Sequence, residues 1–291
     1  MRLLRASCIA ALLLSATTLL AQGRLECAAY KSTILKRNVR FCAALPPAYD
    51  SDKSLRFPVV YYLHGLGENE RALMPLWAII GDLQQGGKIK PLVVITPDAG
   101  STFYINSRGG RVRYEDFFIR EFIPAMEKKY RIRASRAARA LQGTSMGGYG
   151  ALRFAFKYPQ MFVAVAAEMP ALYEKFPRRL IPFFEMNRRS AAEATPFGNP
   201  FDEALWERNT PFTLARENGA RLRKLNLKIY FDCGDRDDYG FDDGARELDR
   251  LLISLRIPHQ SHIYPGGHDP NFVADHFDEA LEFVAGALAP H

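Results

Sequence analysis

Apolar residues along this chain alternate between two patterns. Continuous runs recur in "PVVYYL" from Pro58, "PLVVIT" from Pro91, "FVAVAA" from Phe162 and "LKIYF" from Leu227. Runs without polar alternation predict strands buried on both faces, as in a parallel sheet. Between them, "LMPLWAIIGDLQQGG", "YEDFFIREFIPAMEKKY" and "GGYGALRFAFKYP" repeat apolar residues at helical spacing; the first stops at Gly86-Gly87 and the third at Pro159. The same alternation returns in the helix-like "DDGARELDRLLISLRI", the strand-like "HQSHIYPGGH" and the terminal "FVADHFDEALEFVAGAL". This order predicts a doubly wound α/β fold, with a mainly parallel sheet and helices on both faces. Two earlier strand-like segments, "RLECAAYKSTI" and "RNVRFCAAL", fit a hairpin.

One region breaks the rhythm. From Pro170 to about Leu225 the chain is rich in Pro, Phe, Arg and Asn, and it is too long for a simple connection. It reads as a cap-like insertion after the sixth strand, covering a site. Phe183, Phe184 and Trp206 are candidate lining residues, with a core of the cap as the competing reading.

The first residues follow another logic. Arg2 and Arg5 precede an apolar run from Ile9 to Leu20 that is broken by Ser15, Thr17 and Thr18, and small residues flank the end at Ala21 and Gly23. That is the pattern of a secretory signal peptide over residues 1–23, followed by one domain over 24–291. The expectation is an exported protein, periplasmic or secreted, with no stable membrane anchor. Of the four cysteines, Cys8 would leave with the signal. An oxidising compartment permits a Cys27–Cys42 bridge, which the sequence leaves open, and Cys233 reads as a buried thiol. No cysteine pair has zinc-like spacing, so neither a metal nor a cofactor is expected. The formal charge of +7 is scattered over helix ends and loops rather than concentrated on one element, which argues against a nucleic-acid partner. Oligomeric state is not legible.

The chemistry gathers at "GTSMGG". Gly143-Thr144-Ser145-Met146-Gly147 matches G-x-S-x-G, with an apolar strand before it and a helix after it. A tight strand-to-helix turn has no room for Cβ atoms beside the serine, and the helix N-terminus favours an anion. A serine nucleophile needs a base later in the chain, with an acid between them. Of six histidines, His268 alone sits in a loop after the last strand, at the sheet edge where Ser145 is presented. The acid should follow the preceding strand, where "YFDCGDRDDYGFDDG" offers Asp237, with Asp235 and Asp238 as rivals. An EF-hand-like calcium loop does not fit that spacing. Oxyanion donors are expected from the backbone N–H of Met146 and from the turn in "LHGLGEN", where Leu66 N–H is the candidate and His64 a candidate substrate contact.

The chain resembles the esterase D-like branch of the α/β-hydrolases, which includes S-formylglutathione hydrolases, feruloyl and acetyl-xylan esterases and mycolyltransferases. The resemblance runs from about Val39 to Leu288 through "LPPAYD", "YYLHGLGEN", "GTSMGGYGALRFAFKYPQMF", "FGNPFDEALWERNTPF", "CGDRDD" and "GGHD". It implies an α/β-hydrolase fold, Ser145 as nucleophile, His268 as base, Asp237 as acid, and Leu66 and Met146 as oxyanion donors. The expected activity is hydrolysis of small-molecule or carbohydrate-linked carboxylic esters through an acyl-enzyme. Acyl transfer to a sugar or another alcohol uses the same residues. A catalytically silent exported binding module is the reading from another class, and the intact Ser, His and Asp candidates argue against it.

Overall fold

A computed structural model of the chain describes residues 23–181 and 196–289. The apolar runs form the centre of one eight-stranded sheet. Its strands, in chain order, are β1 (Arg24–Lys31), β2 (Asn38–Leu45), β3 (Val59–Leu63), β4 (Val93–Pro97), β5 (Arg139–Thr144), β6 (Ala164–Glu168), β7 (Lys228–Gly234) and β8 (Gln260–Tyr264). Across the sheet they run β1-β2-β4-β3-β5-β6-β7-β8. The β1–β2 and β2–β4 pairings are antiparallel and all others are parallel. Every residue of β3, β4, β5 and β6 is buried, which is why these strands carry no polar alternation.

Helices cover both faces. One face packs against the helix Met146–Lys157, the helix Phe241–Ser254 and the segment Tyr114–Lys129; the other packs against Leu73–Gln85 and the terminal helix Pro270–Ala287. The segment from Tyr114 is not one regular helix. It runs as α-helix over Tyr114–Phe117, widens to π geometry over Phe118–Phe122, and returns to α-helix over Ile123–Lys129. Pro124 has no N–H to give to the preceding turn, and the widened turn lets the chain pass it without losing its apolar face.

The hairpin β1–β2 is closed by a Cys27–Cys42 disulfide between register partners, with Cα atoms 4.1 Å apart. Cys233 is a buried free thiol. The insertion after β6 contains the helices Glu203–Asn209 and Pro211–Lys224 before the chain rejoins the sheet at β7. Phe183, Phe184 and the signal-like residues 1–22 lie outside the described residues. Among the described residues, no helix is long and apolar enough to cross a membrane.

Candidate active site

Three strand ends meet at one edge of the sheet. β5 delivers Ser145, the turn after β7 delivers Asp237, and the turn after β8 delivers His268. Ser145 lies at φ 55°, ψ −117°, a conformation that costs a non-glycine residue about 1–3 kcal/mol and that persists only where the surroundings impose it. Its N–H donates to Glu168 O on β6 (2.9 Å), and its C=O accepts from Tyr149 and Ala171 N–H (3.0 Å each). The neighbouring glycines make this turn sterically possible. A Cβ on Gly147 would lie 1.8 Å from Leu63 O, and one on Gly143 would lie 2.6 Å from Gly147 O. The turn is therefore pressed against the end of β3, with no space for a side chain at Gly143 or Gly147.

Ser145, His268 and Asp237 form one hydrogen-bonded line. Ser145 Oγ is 3.0 Å from His268 Nε2, and His268 Nδ1 is 2.7 Å from Asp237 Oδ2. The other oxygen, Asp237 Oδ1, accepts from Tyr239 N–H (2.9 Å) and Phe241 N–H (3.3 Å). Phe241 is the first residue of its helix, so the carboxylate faces the positive end of that helix. Burial alone would raise the Asp237 pKa; the hydrogen bond and charge of His268 and the two backbone donors outweigh it and hold the carboxyl below its ordinary value. Tyr239 and Phe241 also stand edge-on to the His268 ring, with centroids 4.9 and 5.2 Å away, and fix its plane. The rival acids stand elsewhere. Asp235 is exposed and accepts from Gly266 N–H (3.0 Å), and Asp238 is exposed.

On the opposite side of the serine lies the turn after β3. A Cβ built on Gly65 would come within 3.7 Å of Ser145 Cβ, so this backbone borders the serine directly. Glu68 braces the turn by accepting from Gly65 N–H at 2.7 Å. The next residue, Leu66, is exposed, and its N–H has no hydrogen-bond partner among the described residues. Met146 opens its helix, so its N–H has no carbonyl one turn behind it within the helix. His64 is fully buried: its Nδ1 lies 2.8 Å from Gly65 O, and its Nε2 accepts from Ala99 N–H at 2.9 Å. Burial lowers its pKa, and both ring nitrogens are committed to holding the loops after β3 and β4 together. Trp206 is 1% exposed, stacks on Tyr149 at 5.2 Å and donates Nε1–H to Tyr173 O, which joins the insertion to the helix behind the serine. Both residues therefore brace the walls of the site from behind.

Sequence reasoning missed the braces. Glu68 lies three residues from Gly65, and Tyr239 and Phe241 lie two and four residues after Asp237, but their roles depend on turns whose geometry only the fold supplies. Among the described residues no cluster of His, Cys, Asp and Glu has metal-binding geometry.

A mostly parallel sheet flanked by helices, with a strained serine at the strand-to-helix turn after β5, defines an α/β-hydrolase-fold protein. The chain belongs to the family described as "Putative esterase", whose model matches residues 32–283. Among curated relatives, an esterase of Mycobacterium tuberculosis is 29% identical over 252 residues, covering 80% of this chain and 53% of the relative. An acetyl esterase of Caldicellulosiruptor saccharolyticus is 25% identical over 268 residues, 88% of this chain and 96% of the relative. Among solved structures, a ferulic acid esterase superposes with a TM-score of 0.79 at 25% identity, covering 91% of this chain and 98% of that one. The chain spans about half the length of the mycobacterial relative.

Proposed function

We propose that the protein is an exported serine carboxylic-ester hydrolase that works through an acyl-enzyme. The observation that carries this reading is the unbroken line from Asp237 through His268 to Ser145, ending on a strained, helix-capped serine. In this reaction Ser145 Oγ attacks the ester carbonyl carbon while His268 Nε2 takes its proton. Asp237 keeps Nδ1 protonated and stabilises the imidazolium without taking the proton itself. The tetrahedral oxyanion receives the free N–H groups of Leu66 and Met146. His268 then protonates the departing alkoxide; a water loses a proton to the same nitrogen and adds to the acyl carbon, and His268 returns that proton to Ser145 Oγ as the acyl C–O bond to the serine breaks and the acid leaves.

Relatives named as an acetyl esterase and a ferulic acid esterase support short and aromatic acyl groups as the first substrates to test. The Cys27–Cys42 bridge supports export, because disulfides of this kind persist in oxidising compartments.

The test is a series of nitrophenyl esters of rising acyl length together with a feruloyl ester, with Ser145→Ala as the control. The variant should lose about 10⁴–10⁶-fold in rate. Wild-type activity in the variant, or no cleavage of any ester by the wild type, would refute the reading. An added alcohol acceptor, with product analysis, separates hydrolysis from transfer.

A further inference from the structure

Behind the serine turn, on the sheet face covered by the terminal helix Pro270–Ala287, lies a polar group that the proposed reaction does not use. Glu168 on β6 and Asp232 on β7 are register partners, both fully buried. Neighbouring strands place such partners about 4.8 Å apart. Glu168 Oε2 accepts from Gln142 Nε2 (3.1 Å), and Asp232 Oδ2 accepts from Tyr230 OH (2.9 Å). Their other oxygens, Glu168 Oε1 and Asp232 Oδ1, have no well-aligned donor among the described residues, nor has Gln142 Oε1 beside them; the Thr144 hydroxyl and the Met169 N–H approach the two carboxyls without closing such a bond. Two ionised carboxylates are acceptors only, so they could not satisfy one another. One carboxyl proton would supply the missing O–H.

The same two residues hold the catalytic backbone. Glu168 C=O accepts from Ser145 N–H, and Asp232 C=O accepts from Met169 N–H, each at 2.9 Å. Gln142 Nε2 also reaches Phe277 O (3.4 Å) on the terminal helix, which begins two residues after His268. The pair thus lies between the turn that carries the serine and the helix that follows the histidine.

We propose that Glu168 and Asp232 share a proton, and that this proton is a positioning device that keeps the Ser145 turn seated on β6 and β7. The positioning role rests on the ester-hydrolase reading; the shared proton does not. Burial, and then the Asp232 charge, push the Glu168 carboxyl well above the carboxylate range, and burial pushes Asp232 up to about 7. The groups facing the pair are Tyr62 and Thr144 from β3 and β5, Tyr230 from β7, His262 and Tyr264 from β8, and Asp278 and Glu279 from the terminal helix. None of these is a lysine or arginine. The two helix carboxylates add to the preference for the protonated form.

A raised folded-state value means that the stability is present at low pH and is lost as pH rises from the ordinary carboxylate range through the folded value. The experiment follows three quantities across pH in wild type, Glu168→Gln and Asp232→Asn: the unfolding midpoint, amide exchange of the segment around Ser145, and kcat and KM for a nitrophenyl ester. The wild-type midpoint should fall as pH rises through about 7, and Ser145-segment exchange should accelerate together with an alkaline loss of kcat at constant KM. Either amide variant, carrying its own N–H donor, should flatten the midpoint slope and retain exchange protection. Should a variant not fold, the infrared band of a protonated carboxyl in wild type above neutral pH decides; its absence overturns the proposal, as do variants with the wild-type slope and exchange profile. A wild type that cleaves no ester yet shows the band and the exchange change would refute the proposed function and uphold the proton.

Discussion

Asp237 is the residue on which the geometry of the site converges. It receives His268 Nδ1–H, two backbone N–H groups and the Cys233 thiol at 3.6 Å, so its orientation is fixed before any substrate binds. Asp237→Asn keeps the shape but stabilises the wrong imidazole tautomer, and kcat should fall by about 10⁴-fold. Because its folded-state value is lowered, Asp237 contributes stability above the ordinary carboxylate range, and that contribution is lost as pH falls through the folded value. Thermal unfolding of Asp237→Asn should accordingly converge with wild type at the acid end. Gly147→Ala tests the turn itself: with 1.8 Å to Leu63 O, the methyl group cannot enter without moving β3 or the serine. Overpacking of this kind costs about 1–3 kcal/mol, read as a lowered unfolding midpoint, and activity should fall further than stability. The serine, the histidine and a short choice of carboxyls that the structure brings into one hydrogen-bonded line were legible because turn glycines and polar residues just after strands leave marks at fixed positions. The choice of Asp237 over Asp235 was not legible from spacing. It depends on which carboxyl the turn after β7 directs at His268 and which at Gly266.

At the scale of elements, the central strands were readable because burial on both faces removes polar residues, and β3 coincides with the run that announced it. The terminal helix begins earlier than its apolar pattern, at Pro270, because Asp269 caps it by accepting from Asn271 and Phe272 N–H (2.8 and 3.3 Å). The π turn before Pro124 left no sign in the apolar spacing, since three phenylalanines keep packing through it: Phe117, Phe118 and Phe122 are all fully buried. The β1–β2 hairpin is an element whose stability can be measured. It stands at the sheet edge, and β1 is largely exposed. Its disulfide closes a sequence separation of 15, which chain entropy values at about 3 kcal/mol. Cys27→Ser with Cys42→Ser, or reduction of the wild type, should lower stability by about that amount in denaturant titration. Esterase activity should persist under native conditions, because the hairpin lies at the opposite edge from β7 and β8. Activity lost in parallel with the bridge would show that the edge is coupled to the site.

Across the whole molecule, one buried ion cluster joins three parts that are distant in sequence. Arg153, fully buried in the helix that follows Ser145, donates to Glu115, to Tyr104 O (3.3 Å) and to Asn209 Oδ1 (3.0 Å from Nε), while Lys157 and Tyr158 also contact Glu115. Glu115 lies at the start of the Tyr114 segment, and Asn209 ends a helix of the insertion, so the cluster clamps the insertion onto the helix that follows Ser145. Nothing in the sequence announces it, because its members are single polar residues within helical patterns that otherwise read as surface. Burial alone would raise the Glu115 pKa, but the Arg153 charge, with Lys157 and Tyr158, brings it down to about 2. A lowered value gives stability that is complete above about 4.5 and is lost as pH falls towards about 2. The difference corresponds to about 3 kcal/mol. Glu115→Gln removes the charge and keeps the shape. It should destabilise the protein at neutral pH by about 3–5 kcal/mol, since Arg153 is then buried without a counter-charge, and its stability should vary less with pH between about 4.5 and about 2 than that of wild type. Urea titrations of both proteins at neutral and acid pH measure this. Equal acid slopes would mean that the cluster does not hold the insertion in place. A variant that lost neutral stability and kept its Ser145 acylation rate would show that the clamp supports the fold and not the chemistry.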